Sequence, residues 1–159
     1  MTTPQRRTLA DRNNAAIRAP QSAAPTSSSD TVKVSAYLSN EQYNLMRSAF
    51  LADWQDGGRH DRFADWITAA IENHATLTPT KRRPLDQGTP TGSPRSFTIP
   101  RVTQDLMRDA MSDDSTQGQW LTASQWIANA LMAAAATTKE RRADTGMPTP
   151  PHRLPQRLR

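Results

Sequence analysis

Thr31-Val32-Lys33-Val34-Ser35-Ala36-Tyr37-Leu38, running straight into Ser39-Asn40-Glu41-Gln42, decides the fold. Val32, Val34, Ala36 and Leu38 fall on one face of an extended chain; Thr31, Lys33, Ser35 and Tyr37 fall on the other. That is the pattern of a strand with one face buried. Ser39 with Gln42 three residues on is a capping box, so a helix begins where the strand stops. Leu45, Met46, Ala49 and Phe50 then recur at helical spacing until Gly57-Gly58. A second helix is predicted from about Asp61 or Arg62, with Phe63, Trp66, Ile67, Ala70, Ile71 and His74 along one stripe.

Working outward, the same pattern returns. Tyr37-Leu38-Ser39, Leu45-Met46-Arg47, Trp66-Ile67 and Ala70-Ile71 reappear as Thr98-Ile99-Pro100, Leu106-Met107-Arg108, Trp126-Ile127 and Ala130-Leu131. The spacing is 61 residues for the early blocks and 60 for the later ones, a one-residue deletion in a loop. A repeat at this period is one supersecondary unit used more than once. In the second copy Phe97 and Ile99 point one way and Ser96 and Thr98 the other, and Pro100 ends the strand and suits a first helical turn. Val102, Leu106 and Ala110, flanked by Met107 and Met111, give the next helix its predicted stripe, broken between Asp113 and Gly118. Thr122 with Gln125 is another capping box. Trp126, Ile127, Ala130, Leu131 and Ala134 form the last apolar face.

The expected boundaries are a basic, disordered N-terminal tail over 1–29, a first unit over 30–75, a Pro/Gly-rich linker over 76–94, a second unit over 95–138 and a basic, Pro-rich, disordered tail over 139–159. Composition agrees: 35% of residues are apolar and 12 are proline, too little for a core spanning the chain. A unit of about 45 residues buries too little surface to stand alone, and a lone strand leaves its backbone groups unpaired. Pairing the two strands antiparallel above four helices answers both needs. The linker makes that pairing intramolecular, at an effective concentration on the order of millimolar. The expected class is thus mainly α with a small β ribbon, strand-helix-helix twice about a pseudo-two-fold axis.

Charge is unevenly spread. The net charge of +5 divides into +3 over 1–29, −3 over 30–75, +2 over 76–94, −1 over 95–135 and +4 over 136–159. Basic tails on a compact body commonly engage polyanions, while the predicted units are acidic. Asp53, Asp56, Asp65 and Glu72 are expected on polar helix sides turned away from any bound polyanion. Cysteine is absent, so disulfides and thiolate chemistry are excluded. His60, His74 and His152 lack metal-ligand spacing, and His74 reads as a partly buried structural residue. Gly57-Gly58 reads as a helix stop and Asp113-Asp114 as turn chemistry, so neither an enzyme nor a cofactor is expected. Trp66 and Trp126 read as core residues, and Trp54 and Trp120 as partly exposed. No apolar run is long enough to span a membrane and no signal peptide is seen, which fits a cytoplasmic protein.

Lys33 to Ser39, with the capped helix and the second amphipathic helix behind it, resembles the ribbon-helix-helix family of DNA-binding proteins; Phe97-Thr98-Ile99-Pro100 resembles the same strand end. The resemblance covers about 31–75 and 95–135. Members usually assemble from two chains. A single chain carrying both halves resembles the tandem forms that assist plasmid segregation or conjugative DNA transfer in bacteria. The resemblance implies a ribbon in the major groove. Its base-contacting residues would be Lys33, Ser35, Tyr37, Ser96 and Thr98. Arg62, Thr122 and Ser124 would contact phosphates at second-helix N-termini. Arg6, Arg7, Arg12 and Arg18 are candidate contacts to a segregation ATPase or relaxosome protein. The unlike halves imply an imperfect palindrome or asymmetric site, and molecules set side by side on DNA repeats. Three alternatives stay open. The outward alternation also suits a plain solvated face; a transcriptional repressor would use the same surface; and a protein–protein adaptor or antitoxin would dock a partner through its core.

Overall fold

The alternation over 31–38 becomes a strand, β1 (Thr31–Leu38), and the capping box after it opens α1 (Asn40–Gln55). Then follow α2 (Phe63–Thr76), β2 (Ser93–Pro100), α3 (Arg101–Thr116) and α4 (Ala123–Arg141). These elements come from a computed structural model that describes residues 30–82 and 92–159. The N-terminal tail with Arg6, Arg7, Arg12 and Arg18 lies outside the described residues, as does 83–91 of the expected linker.

β1 and β2 form one two-stranded antiparallel ribbon in which Thr31 faces Pro100, Val34 faces Phe97 and Leu38 faces Ser93. The two β-segments, far apart in sequence, thus satisfy each other's backbone groups. Val34, Ala36, Leu38 and Ile99 on the inner face are buried. Beneath them lie Met46, Ala49 and Phe50 of α1, Trp66, Ile67 and Ile71 of α2, Met107 of α3, and Trp126, Ile127 and Leu131 of α4. β1 rests mainly on α4 and β2 on α2, while α1 packs on α4 and α3 on α2. Each half therefore contributes to the support of the other half's strand.

Both predicted capping boxes form: Ser39 accepts from the Gln42 amide at 3.1 Å, and Thr122 from the Gln125 amide at 3.2 Å. α1 and α3 end alike. Gly57 (φ +88°) and Gly118 (φ +81°) take the left-handed conformation. The following amides, Gly58 and Gln119, bond back to the carbonyls of Asp53 and Asp114 at 2.7 and 2.9 Å. This is a Schellman ending, which satisfies carbonyls the helix would otherwise orphan.

Three expectations are corrected. The stripe of α3 is rotated by about one residue: Thr103, Met107, Ala110 and Asp114 are buried, while Val102 is 63% and Leu106 43% exposed. Thr103 tolerates burial because its hydroxyl donates to Glu72 at 2.7 Å. The helix also runs on to Thr116, through the expected break, so Asp113-Asp114 is not a turn. Pro100 closes the strand and caps α3 rather than sitting in its first turn.

The segment 139–159 also differs from the expected free tail. α4 continues to Arg141, and Met147, Leu154 and Leu158 beyond it pack against the core. The Leu158 amide donates to the Asp61 carbonyl at 2.7 Å, Arg157 pairs with Asp61 at 3.0 Å, and the Arg47 guanidinium donates to the Pro151 carbonyl. Within the expected linker, β2 already begins at Ser93, and Arg82 is buried at 2% exposure.

Candidate nucleic-acid interface

The register places the predicted contact residues together. Lys33 lies opposite Thr98, Ser35 opposite Ser96 and Tyr37 opposite Pro94, and all five candidates are exposed on the ribbon face away from the helices. Tyr37, 53% exposed, is one of the few large apolar side chains left in solvent. The face carries one cation, three hydroxyls from Ser and Thr, and one phenol. It therefore offers both donors and acceptors in a strip two residues wide.

A second-helix N-terminus flanks each edge of the ribbon. On the β1 side, the Tyr37 amide donates to Ser124 Oγ at 3.1 Å, pinning the start of α4. On the β2 side, Ala64 and Asp65 of α2 border a cleft with Thr98, Ile99 and Pro100. Helix N-termini present unpaired amides and a positive dipole end, which favours anions. The three predicted phosphate residues are placed differently. Arg62 is the exposed N-cap of α2 and its side chain makes no cap bond. Thr122 spends its acceptor capacity on the Gln125 amide, keeping its hydroxyl proton to donate. Ser124 serves first as the clasp between α4 and β1.

The acidic surplus is resolved by partners that the sequence did not reveal. Asp53 pairs with Arg141 at 2.8 Å, and Asp56 with Arg141 at 2.7 Å and Arg142 at 3.1 Å. Both arginines hold the Asp56 carboxyl below its usual range, Arg142 first. Asp61 is matched by Arg157. Asp53 and Asp56 were expected on polar helix sides turned away from a bound polyanion; they and Asp61 are paired with arginines of the last helix and the segment after it.

A buried polar knot was also missed. Arg82 Nη2 and Nε donate to Asp114 Oδ1 at 2.9 and 3.1 Å. The same guanidinium donates to the carbonyls of Leu77, of Ala75 at 3.1 Å and of Ala110 at 3.3 Å. Asp114 Oδ2 accepts from the Trp126 indole at 3.1 Å. The Trp66 indole donates to Asp53 in the same way, at 2.7 Å. Asp53 and Asp114 stand 61 residues apart, within the repeat spacing, and that coincidence was the signal available beforehand. His74 packs edge-on against Trp126 with ring centroids 5.0 Å apart. Burial, and then the Arg82 charge, lower its pKa to about 4.

Among the described residues no helix is long and apolar enough to cross a membrane, and no group of three or more His, Cys, Asp or Glu could hold a metal ion. Trp120 is 81% exposed, while Trp54 is half-buried. The chain matches no protein-family model, no curated protein and no solved structure.

Proposed function

We propose that the protein is a sequence-specific double-stranded DNA-binding protein, a tandem ribbon-helix-helix in one chain whose ribbon enters the major groove. One observation carries this reading: the β1–β2 register gathers Lys33, Ser35, Tyr37, Ser96 and Thr98 on the exposed ribbon face, with a helix N-terminus at either edge. Groove dimensions admit such a ribbon, base edges are read by hydroxyls and a lysine, and the amides of α2 and α4 meet phosphates on the two sides. The repeated Schellman endings and Trp–Asp bonds support a pseudo-two-fold pair of halves.

The biological setting we propose for this one-chain reader is a bacterial segregation or DNA-transfer complex in the cytoplasm; a transcriptional repressor would use the same face. The exposed Val102 and Leu106 on α3 favour an adaptor as the second reading. Binding to duplex fragments from the encoding locus, titrated with salt, tests the proposal. Log affinity should fall linearly with log salt, with a slope near −0.9 per phosphate contacted. Lys33→Ala combined with Tyr37→Ala should abolish preference among fragments while leaving helix content unchanged. Negligible affinity for every fragment would favour the adaptor.

A further inference from the structure

A second cationic site lies beside the ribbon, in a cleft of about 490 Å³ between the N-terminus of α2 and the C-terminal strap. Arg47, Arg62, Arg95, Arg153 and His152 line it together with Tyr43, and no lining residue is acidic. Among the described residues none of these arginines pairs with a carboxylate, whereas Arg82, Arg141, Arg142 and Arg157 each do. Arg47 is nine-tenths buried, yet it donates only to neutral oxygens, Asn44 Oδ1 at 3.3 Å and the Pro151 carbonyl. Arg95 lies over the Tyr43 ring at 4.2 Å and donates to Asn40 Oδ1 at 3.3 Å, while its buried Nε has no partner. The side chains of Arg62 and Arg153 make no hydrogen bond or ion pair among the described residues. Burying guanidinium groups without a counter-charge is costly, and like charges sharing one cleft repel.

We propose that this cleft binds a phosphate group, supplied by the DNA backbone when the ribbon docks; the inference rests on the DNA-binding reading for that source. Guanidinium forks match phosphate oxygens bidentately, and the α2 amides beside Arg62 add the dipole of a fourteen-residue helix. Ala64 borders both this cleft and the one shared with Thr98 and Pro100, so the site adjoins the β2 edge of the ribbon. The strap completes it. Leu154 and Leu158 anchor residues 152–158 to the body, and the Arg157–Asp61 pair and the Leu158–Asp61 bond fix them across the start of α2.

Calorimetric titration of the full chain with inorganic phosphate, beside salt-titrated duplex binding, tests the site. Arg62→Ala with Arg153→Ala removes two exposed side chains that hold nothing else, so circular dichroism should be unchanged. Phosphate affinity should drop about tenfold or more, the loss expected for charge-assisted hydrogen bonds, while Lys33→Ala leaves it intact. The salt slope for duplex should become shallower by about one per arginine in contact. Phosphate binding that is absent, or equal in wild type and variant, overturns the site. Weakened phosphate binding with an unchanged duplex slope overturns the backbone as its occupant while leaving the ribbon reading in place. Phosphate binding with no duplex binding at all makes the occupant a free phosphorylated ligand, and it is then the ribbon reading that fails.

Discussion

The two halves solve one problem with different depths of burial. In each, an aspartate at the end of the first helix accepts the indole N–H of the second helix's tryptophan: Asp53 from Trp66, Asp114 from Trp126. Each aspartate then takes an arginine from the other half. Asp114 takes Arg82, with side chains 3% and 1% exposed; Asp53 takes Arg141, at 27% and 47%. The difference follows from the chain after the second helix. Pro79 lies just past the end of α2, and the turn over 78–82 carries Arg82 inward, whereas α4 runs on and holds Arg141 at the surface. A repeated sequence signal therefore yields a sealed ion pair on one side and a solvated one on the other.

The largest expected effect breaks the sealed pair. Asp114→Ala leaves the Arg82 guanidinium buried without its charge partner and should cost about 3–5 kcal/mol in urea unfolding. Asp53→Ala, whose partners reach water, should cost about 1–2 kcal/mol. Equal losses would show that the two sites are energetically alike. Arg82→Met combined with Asp114→Leu should recover most of the loss of either single change, since an apolar pair replaces two desolvated charges.

A smaller effect concerns His74, whose repeat position in the second half is Ala134. Its folded pKa of about 4 lies below the ordinary value of 6.5. The unfolded chain therefore binds a proton first, and the stability held above pH 6.5 is lost as pH falls toward 4. With allowance for the open side of its site, that loss is about 2 kcal/mol, and His74→Phe should remove this part of the pH dependence. The smallest is at the ribbon edge. Ser124→Ala deletes the clasp on the Tyr37 amide, about 1 kcal/mol, and should loosen the β1 edge in hydrogen exchange while the β2 edge, flanked by Ala64, is unaffected.

What could be read from the sequence was what neighbours decide. The alternation over 31–38, the Ser39–Gln42 and Thr122–Gln125 boxes and the Gly57 stop each depend on residues within one or two turns, and each formed. The ribbon face followed from the same alternation, so Lys33, Ser35 and Tyr37 were placed correctly on its exposed side. The α3 stripe failed because its core positions include Thr103 and Asp114, polar residues admitted by partners 31 and 32 residues away. Hydrophobic periodicity cannot register a partner at that distance, so it chose Val102 and Leu106 instead. The C-terminal segment failed for a related reason. Its proline and arginine content signals freedom only if nothing receives it, and the receivers, Asp53, Asp56 and Asp61, sit about 85–100 residues earlier in the chain. The arginine cleft escaped notice because its members come from four separate stretches.

Because β1 and β2 belong to one polypeptide, the ribbon has no subunits to lose on dilution. Its melting midpoint should be the same at nanomolar and micromolar protein, and the folded form persists at a handful of copies per cell, where a two-chain ribbon would fall apart into strands without partners.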